Sequence, residues 1–155
     1  MKIHLIAIGT RMPDWVNEGF QTYAKRLPHE FSLHLIEIPA GKRLKNANLT
    51  QLMTQEGQQL LAAVPKGDTL IALDRQGQVL STTTLAQQFH QWHSQQRNVS
   101  LLIGGPEGLA TACLQQAAHV WSLSPLTLPH ALVRILIAEQ IYRVWSIITH
   151  HPYHR

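Results

Sequence analysis

The sequence predicts an α/β fold, a mostly parallel sheet with helices on both faces, and two observations carry that prediction. Short apolar, β-branched runs of strand length recur along the chain, and stretches with apolar residues three or four apart fill the intervals between them. Regular alternation of strand and helix is the signature of βα units, which lay helices against both sides of a parallel sheet. At 155 residues, 45% of them hydrophobic and 14% charged, the chain is expected to fold as one domain over residues 1–155. A chain of that size buries roughly two-thirds of its unfolded surface.

Taken in order, the strand-like runs are Ile3–Ile8, Phe31–Ile38, Thr69–Leu73 and Val99–Ile103, with a weaker one at Val120–Leu123. Pro13 suits a helix start, and Trp15, Val16, Phe20, Tyr23 and Leu27 then follow helical spacing. A second stripe runs through Leu49, Leu52, Met53, Leu60, Leu61 and Val64 and stops at Pro65-Lys66-Gly67. A third uses Leu85, Phe89 and Trp92, and a short fourth helix is expected over Leu109 to Ala117. The last helix, from about Pro129, is apolar around almost its whole circumference, so it must be covered on most sides. A second subunit is one way to cover it in so small a chain, and a homodimer packed partly through this helix is expected. On that helix Glu139 and Arg143 are four apart and able to pair, while Arg134 points to the other side.

Composition narrows the function classes. A single cysteine, Cys113, permits no internal disulfide and reads as a small apolar filler, which fits a reducing, cytoplasmic setting. The apolar N-terminal stretch is too short for a signal sequence and lacks a cleavage site. The longest apolar run, Ala131 to Ile148, holds Arg134, Glu139 and Arg143, three ionisable groups that make a membrane span too costly. A net charge of +4 and a pI near 9.6 attract polyanions without identifying one. The excess clusters at Lys42-Arg43-Leu44-Lys45 and around Arg134, Arg143 and Arg155, although a solvated loop explains the first cluster equally well.

Three segments could carry chemistry. The first is Leu101-Leu102-Ile103-Gly104-Gly105-Pro106-Glu107-Gly108, a strand entering a glycine-rich turn before a helix. Ligands of open α/β sheets collect at such carboxyl ends, and glycine lets them approach the backbone, though a tight turn alone would need the same residues. Neither GxGxxG nor a Gly-Lys-Ser/Thr phosphate loop is present. The second is Ser122-Leu123-Ser124-Pro125-Leu126-Thr127-Leu128-Pro129-His130, where hydroxyls alternating with leucines suit an apolar slot edged by polar groups, shaped to hold an adenine. The third is His150-His151-Pro152-Tyr153-His154-Arg155, a dense set of acid–base, aromatic and cationic groups at a chain end. Its histidines lack a nearby cysteine or carboxylate, so no metal site is expected; His90 and His93 read as partners of Phe89 and Trp92. No Gly-x-Ser-x-Gly elbow or activated cysteine supports a nucleophile.

These segments, with Leu132-Val133-Arg134, Ala138-Glu139-Gln140-x-Tyr142-Arg143, Ala7-Ile8-Gly9-Thr10 and Glu37-Ile38-Pro39-Ala40-Gly41-Lys42-Arg43, resemble one family over essentially the full chain. It is the bacterial 23S rRNA pseudouridine-N3 methyltransferases, minimal members of the SPOUT class. One departure is Gln78, where members often carry lysine. The resemblance implies a C-terminal trefoil knot, a homodimer, and S-adenosyl-L-methionine held against Leu73, Gly104, Gly105, Leu123, Ser124, Pro125, Leu126, Thr127 and Leu128. It also implies that one subunit's tail, with Tyr153, His154 and Arg155, closes over the partner's cofactor, and that the substrate is a loop pseudouridine of 23S rRNA on the assembled ribosome.

Methylating a uracil-type N3 requires removal of its proton or stabilisation of the resulting anion. His130, His154 and Glu139 are candidate bases, the two histidines favoured, and Arg134, Arg143 and Arg155 candidate stabilisers. Lys42, Arg43 and Lys45, with Arg134, are expected to grip RNA phosphates. Two other classes stay open: a SPOUT-type tRNA methyltransferase, and a non-catalytic ribosome-binding module lacking cofactor affinity.

Overall fold

A computed structural model describes residues 1–155. Five parallel strands form one sheet: β1 (Lys2–Ile8), β2 (Ser32–Ile38), β3 (Thr69–Val79), β4 (Val99–Ile103) and β5 (His119–Ser122), in the order β2-β1-β4-β3-β5. Between them run α1 (Asp14–Ala24), α2 (Leu49–Ala62), α3 (Thr82–Ser94) and α4 (Thr111–Gln116). After β5 comes α5 (His130–Ile148), and a 3₁₀ turn over Pro152–His154 ends the chain.

Each expected strand is present because its run of apolar residues faces protein on both sides. Along β1, Ile3, Leu5 and Ala7 enter one core with Phe20, Phe89, Trp92, Ile137 and Ile141, contributed by α1, α3 and α5. The alternate residues Ile6 and Ile8 enter a second core with Leu60, Leu109 and Cys113, beneath α2 and α4. The two-residue period of a strand thus serves two separate helix layers, each fully buried side chain stabilising the fold by roughly 1.5–3 kcal/mol.

Three details depart from the expected pattern. The third strand does not stop at Leu73: its pairing with β5 shifts between Leu73 and Gln78, so the residues between form a bulge and the strand resumes to Val79. Asp74 stabilises that bulge by accepting from the Gln76 amide at 2.9 Å. The first helix stops at Ala24, ahead of Leu27 and Pro28, and Trp15, read as part of its buried stripe, is 53% exposed. Helix α5 is covered by the sheet, α1 and α3, yet leaves Leu132 and Leu136 open. No helix is long and apolar enough to cross a membrane.

Strand order reverses between β1 and β4: the chain leaves β1 for β2 on one side, and the later strands lie on the other. The carboxyl ends of β1 and β4 therefore flank a crevice, the ordinary ligand position in open α/β sheets.

Candidate active site

A cavity of about 370 Å³ opens beside that crevice, floored by the ends of β3, β4 and β5 and walled by α3 and α5. Its volume lies within the roughly 300–1,000 Å³ of small-molecule sites. Leu73, Leu123, Ser124 and Leu128, four of the expected cofactor contacts, line it. Leu80, Leu85, Phe89, Leu101, Ile137 and Ile141 complete an apolar wall, and Thr82, Ser122 and Gln140 add polar groups. The loop after β5 is shaped by its own hydroxyls: Ser122 Oγ donates to the Ser124 carbonyl at 3.0 Å, and the Leu126 amide donates to Ser124 Oγ at 2.9 Å. Pro125, Leu126 and Thr127 are exposed, Leu126 by 73%, and do not line the cavity.

Gly104 and Gly105 do not line it either. A side chain at Gly104 would run into the backbone of Gly108 and Leu109. The turn also closes on itself through the Gly108 amide and the Gly105 carbonyl, 3.0 Å apart. The glycine at Gly104 is thus required by the turn's own closure.

The crevice between β1 and β4 is filled by a side chain. Arg134, fully buried, donates through Nη2 to the Gly9 carbonyl at 2.8 Å and the Ile8 carbonyl at 3.4 Å, through Nη1 to Glu37 at 2.6 Å, and through Nε to His130 Nε2 at 2.9 Å. His130 Nδ1 meets the Gly104 carbonyl at 3.0 Å. The expectation that Arg134 touches RNA is corrected by this burial: no phosphate reaches a guanidinium with no exposed surface. The expectation of His130 as base meets a related obstacle, since both ring nitrogens are engaged. Desolvation, with the Arg134 charge second, lowers its pKa below the ordinary 6.5, against the raising influence of the Gly104 carbonyl and Glu37.

Arg43 borders solvent, but its charge is already taken within the fold. Its guanidinium donates to both oxygens of Glu56, at 2.5 and 2.7 Å, and to Glu107 at 2.8 Å, so its charge is taken by two carboxylates. Those bonds hold it more firmly protonated and Glu107 below its usual range, and they tie the loop after β2 to α2 and to the turn after β4. Lys42 and Lys45 on the same loop are exposed and in no ion pair.

Glu139 and Arg143 pair as their spacing predicts, Arg143 Nε reaching Glu139 Oε1 at 2.8 Å. The same carboxylate accepts from the Tyr153 hydroxyl at 3.0 Å and the Gln140 amide at 2.7 Å. Gln140 in turn accepts from Thr82, and both line the cavity, so the Glu139 cluster adjoins it through one side chain. Burial, then the bond to Glu139, pushes the Tyr153 hydroxyl up to about 12. The tail lies against its own α5, with Arg143 over the Tyr153 ring. His154 Nδ1 is buried without a partner, Arg155 is exposed, and neither borders the cavity.

Sequence reasoning missed Glu37, Glu56, Thr82 and Gln140. Glu56 left a readable trace: it sits four residues from both Leu52 and Leu60, a charge inside an apolar stripe. It also missed Asp68, which binds His4 Nδ1 at 2.8 Å and Ser100 Oγ at 2.7 Å near the amino ends of β1, β3 and β4. Cys113, fully buried with its thiol pushed up by desolvation, is the apolar filler expected.

The family model described as "Predicted SPOUT methyltransferase" matches residues 1–154. The chain belongs to the SPOUT methyltransferase family. It is therefore a methyltransferase, and SPOUT methyltransferases draw the methyl group from S-adenosylmethionine. The chain is 59% identical over 155 residues, all of both chains, to "Ribosomal RNA large subunit methyltransferase H" of Coxiella burnetii (strain Dugway 5J108-111). Among solved structures it resembles a methylase family protein from Neisseria gonorrhoeae, with a TM-score of 0.56 and 11% identity over 96% of this chain and 93% of that one. It also resembles the protein of a study of 2-OH methylation of C/U34 on tRNA, with a TM-score of 0.53 and 20% identity over 94% and 97%. At these identities the two structures show a shared fold and nothing finer.

The cavity fits the family's cofactor in chemistry as well as size. Leu73, Leu123, Leu128 and Phe89 offer an apolar slot for an adenine, Ser122, Ser124, Thr82 and Gln140 offer neutral hydrogen-bonding groups, and no cation lines the wall to repel a sulfonium.

Proposed function

We propose that this SPOUT methyltransferase acts as one domain over residues 1–155, methylating N3 of a pseudouridine in 23S rRNA on the assembled ribosome, in the cytoplasm and as a homodimer. The full-length likeness to a ribosomal RNA large subunit methyltransferase H carries this reading. The apolar cavity at the strand ends supports it, and the trefoil knot implied by the sequence resemblance belongs to it.

In this reading Leu73, Leu123, Ser124 and Leu128 hold S-adenosylmethionine, with the Gly104–Gly105 turn and Pro125, Leu126 and Thr127 at the rim. When bound, the cofactor supplies an electrophilic methyl group. The chain's own tasks are to orient the uracil-type ring and to take the N3 proton. Glu139 already accepts from Arg143, Tyr153 and Gln140, and His130 has no free lone pair. His154, whose ring is tied up by no hydrogen bond, is the base in this reading, acting through Nε2 because its Nδ1 is buried. Arg143, held firmly protonated by Glu139, and Arg155 stabilise the anion developing on the ring carbonyls.

Exposed Trp15 on α1 and Leu132 on α5, helices packed on each other, supply apolar surface for a second subunit, and Leu136 of α5 lines the cavity itself. That subunit would bring its Tyr153, His154 and Arg155 over the first subunit's cavity. Lys42 and Lys45 provide free cations for ribosomal phosphates.

The test incubates the protein with methyl-labelled S-adenosylmethionine and ribosomes lacking the modification, then maps the label by mass spectrometry. Label on one pseudouridine of large-subunit RNA is expected. Label confined to tRNA, or absent from RNA while the cofactor still binds, overturns the substrate assignment.

A further inference from the structure

The geometry points to Arg134 as a positioning residue: it locks His130 as a neutral imidazole protonated at Nδ1, whose N–H holds the Gly104 carbonyl at the end of β4. His130 is then a fixed donor to the turn and not a proton acceptor in the reaction. The functional part of this inference rests on the methyltransferase site proposed above; the protonation pattern does not.

A guanidinium has five N–H donors and no acceptor. His130 Nε2, 2.9 Å from Arg134 Nε, must therefore present its lone pair. A neutral imidazole has one N–H, which falls on Nδ1, and the group opposite Nδ1 is the Gly104 carbonyl, an acceptor only. The two contacts agree on a single tautomer. Protonating the ring would set an N–H against the Arg134 N–H, across 2.9 Å and with like charges.

Arg134 cannot swing away to relieve that conflict. Its other nitrogens are committed to Glu37 on β2 and to the Ile8 and Gly9 carbonyls at the end of β1, with no exposed surface around it. Gly9 makes this possible: its φ of +112° is a backbone conformation that other residues rarely adopt, and a side chain there would also crowd Met12. The charged or titratable groups facing His130 are Arg134 from α5 and Glu37 from β2, while β4 contributes only a carbonyl. One side chain thus ties the ends of β2 and β1 to His130, and His130 passes that fixation to β4. Since β4 also supplies Leu101 to the cavity floor, fixing the end of that strand steadies one wall of the site.

The test reads the tautomer directly, by long-range ¹H–¹⁵N correlation of the histidine rings in the uniformly labelled wild-type protein, with His130→Asn used to assign the resonance. A pyrrole-type Nδ1 and pyridine-type Nε2 at pH 7 are expected; Nε2–H, or an imidazolium, overturns the inference. S-adenosylmethionine affinity, measured by calorimetry without RNA, separates positioning from base catalysis. His130→Ala should weaken binding by up to about tenfold, the ceiling set by one lost hydrogen bond. His130→Asn, whose amide stands where Nδ1 stood, should recover most of that loss together with turnover. Wild-type affinity in both variants, with turnover abolished in both, marks His130 as the base and overturns the proposal. The tautomer and the cofactor affinity are measured without ribosomes, so a failed substrate assignment leaves those two outcomes intact.

Discussion

Arg134 and Arg43 are both held by carboxylates near the carboxyl ends of the strands, yet one is sealed inside the fold and the other borders solvent, their side chains 0% and 22% exposed. In sequence Arg43 stands in a basic stretch and Arg134 in an apolar run, and both read as grips for RNA. In the fold Arg134 joins strand ends, whereas Arg43 clamps a loop to α2 and to the Gly104–Gly108 turn. The comparison teaches that a basic excess counts charges without saying which are free. Three of the thirteen Lys and Arg residues, Arg43, Arg134 and Arg143, are in ion pairs with carboxylates, so the cations left for a polyanion lie elsewhere, Lys42 and Lys45 among them.

The largest effect should come from breaking the sealed member. Arg134→Ala strips partners from two backbone carbonyls, Glu37 and His130 and leaves a void, and should cost about 3–5 kcal/mol in denaturant-monitored stability. Arg43→Ala strips a partner from buried Glu56 and from Glu107, yet Glu56 keeps its bond from the Gly41 amide and the vacated position borders solvent, so the cost should be about 2 kcal/mol. Equal losses for the two variants would erase the distinction drawn between them.

A pH series sharpens the same contrast. Burial and Arg134 depress the folded pKa of His130 below its ordinary 6.5, so the fold favours the neutral ring. The resulting stabilisation is complete above about pH 6.5 and is withdrawn as pH falls through the lower folded value. Arg43, protonated at every such pH, contributes nothing to this slope. Stability measured between pH 7.5 and 5 should fall in the wild type, and less steeply in His130→Asn.

Tyr153→Phe should cost only about 1 kcal/mol or less by removing the hydroxyl's bond to Glu139, and should erase the tyrosine titration near pH 12 in ultraviolet absorbance. The smallest stability change belongs to Lys42→Glu with Lys45→Glu, within about 0.5 kcal/mol of wild type because neither lysine is paired. Ribosome binding by that double variant should nonetheless weaken and depend less on salt. An unchanged salt slope would place the RNA contact on other residues.

What was legible follows the range of the interaction. Glu139 with Arg143 was read correctly because a helix places residues four apart on one face, a purely local rule. Arg134 with Glu37 was not, since 97 residues separate them and only the sheet brings them together. The β1 and β4 runs were read because burial on both faces leaves continuous apolar stretches. The second half of β3 was missed because Asp74 to Gly77 carry the composition of a turn, and only the pairing with β5 reveals a bulge. Gly104 was read as open backbone for a ligand; its glycine is explained by the turn folding back on Gly108. Of the nine expected cofactor contacts, the four on the cavity wall belong to β3 and the loop after β5, where apolar side chains announce a slot.

The sequence by itself determined the α/β class, the strand and helix positions and the family, since periodicity and ordered motifs are properties of the chain read locally. Tertiary structure alone decided which charges are free, which histidine nitrogen carries a proton and which loop residues face the cavity. Those outcomes depend on desolvation and on partners far apart in the chain, and neither is fixed until the strands are side by side.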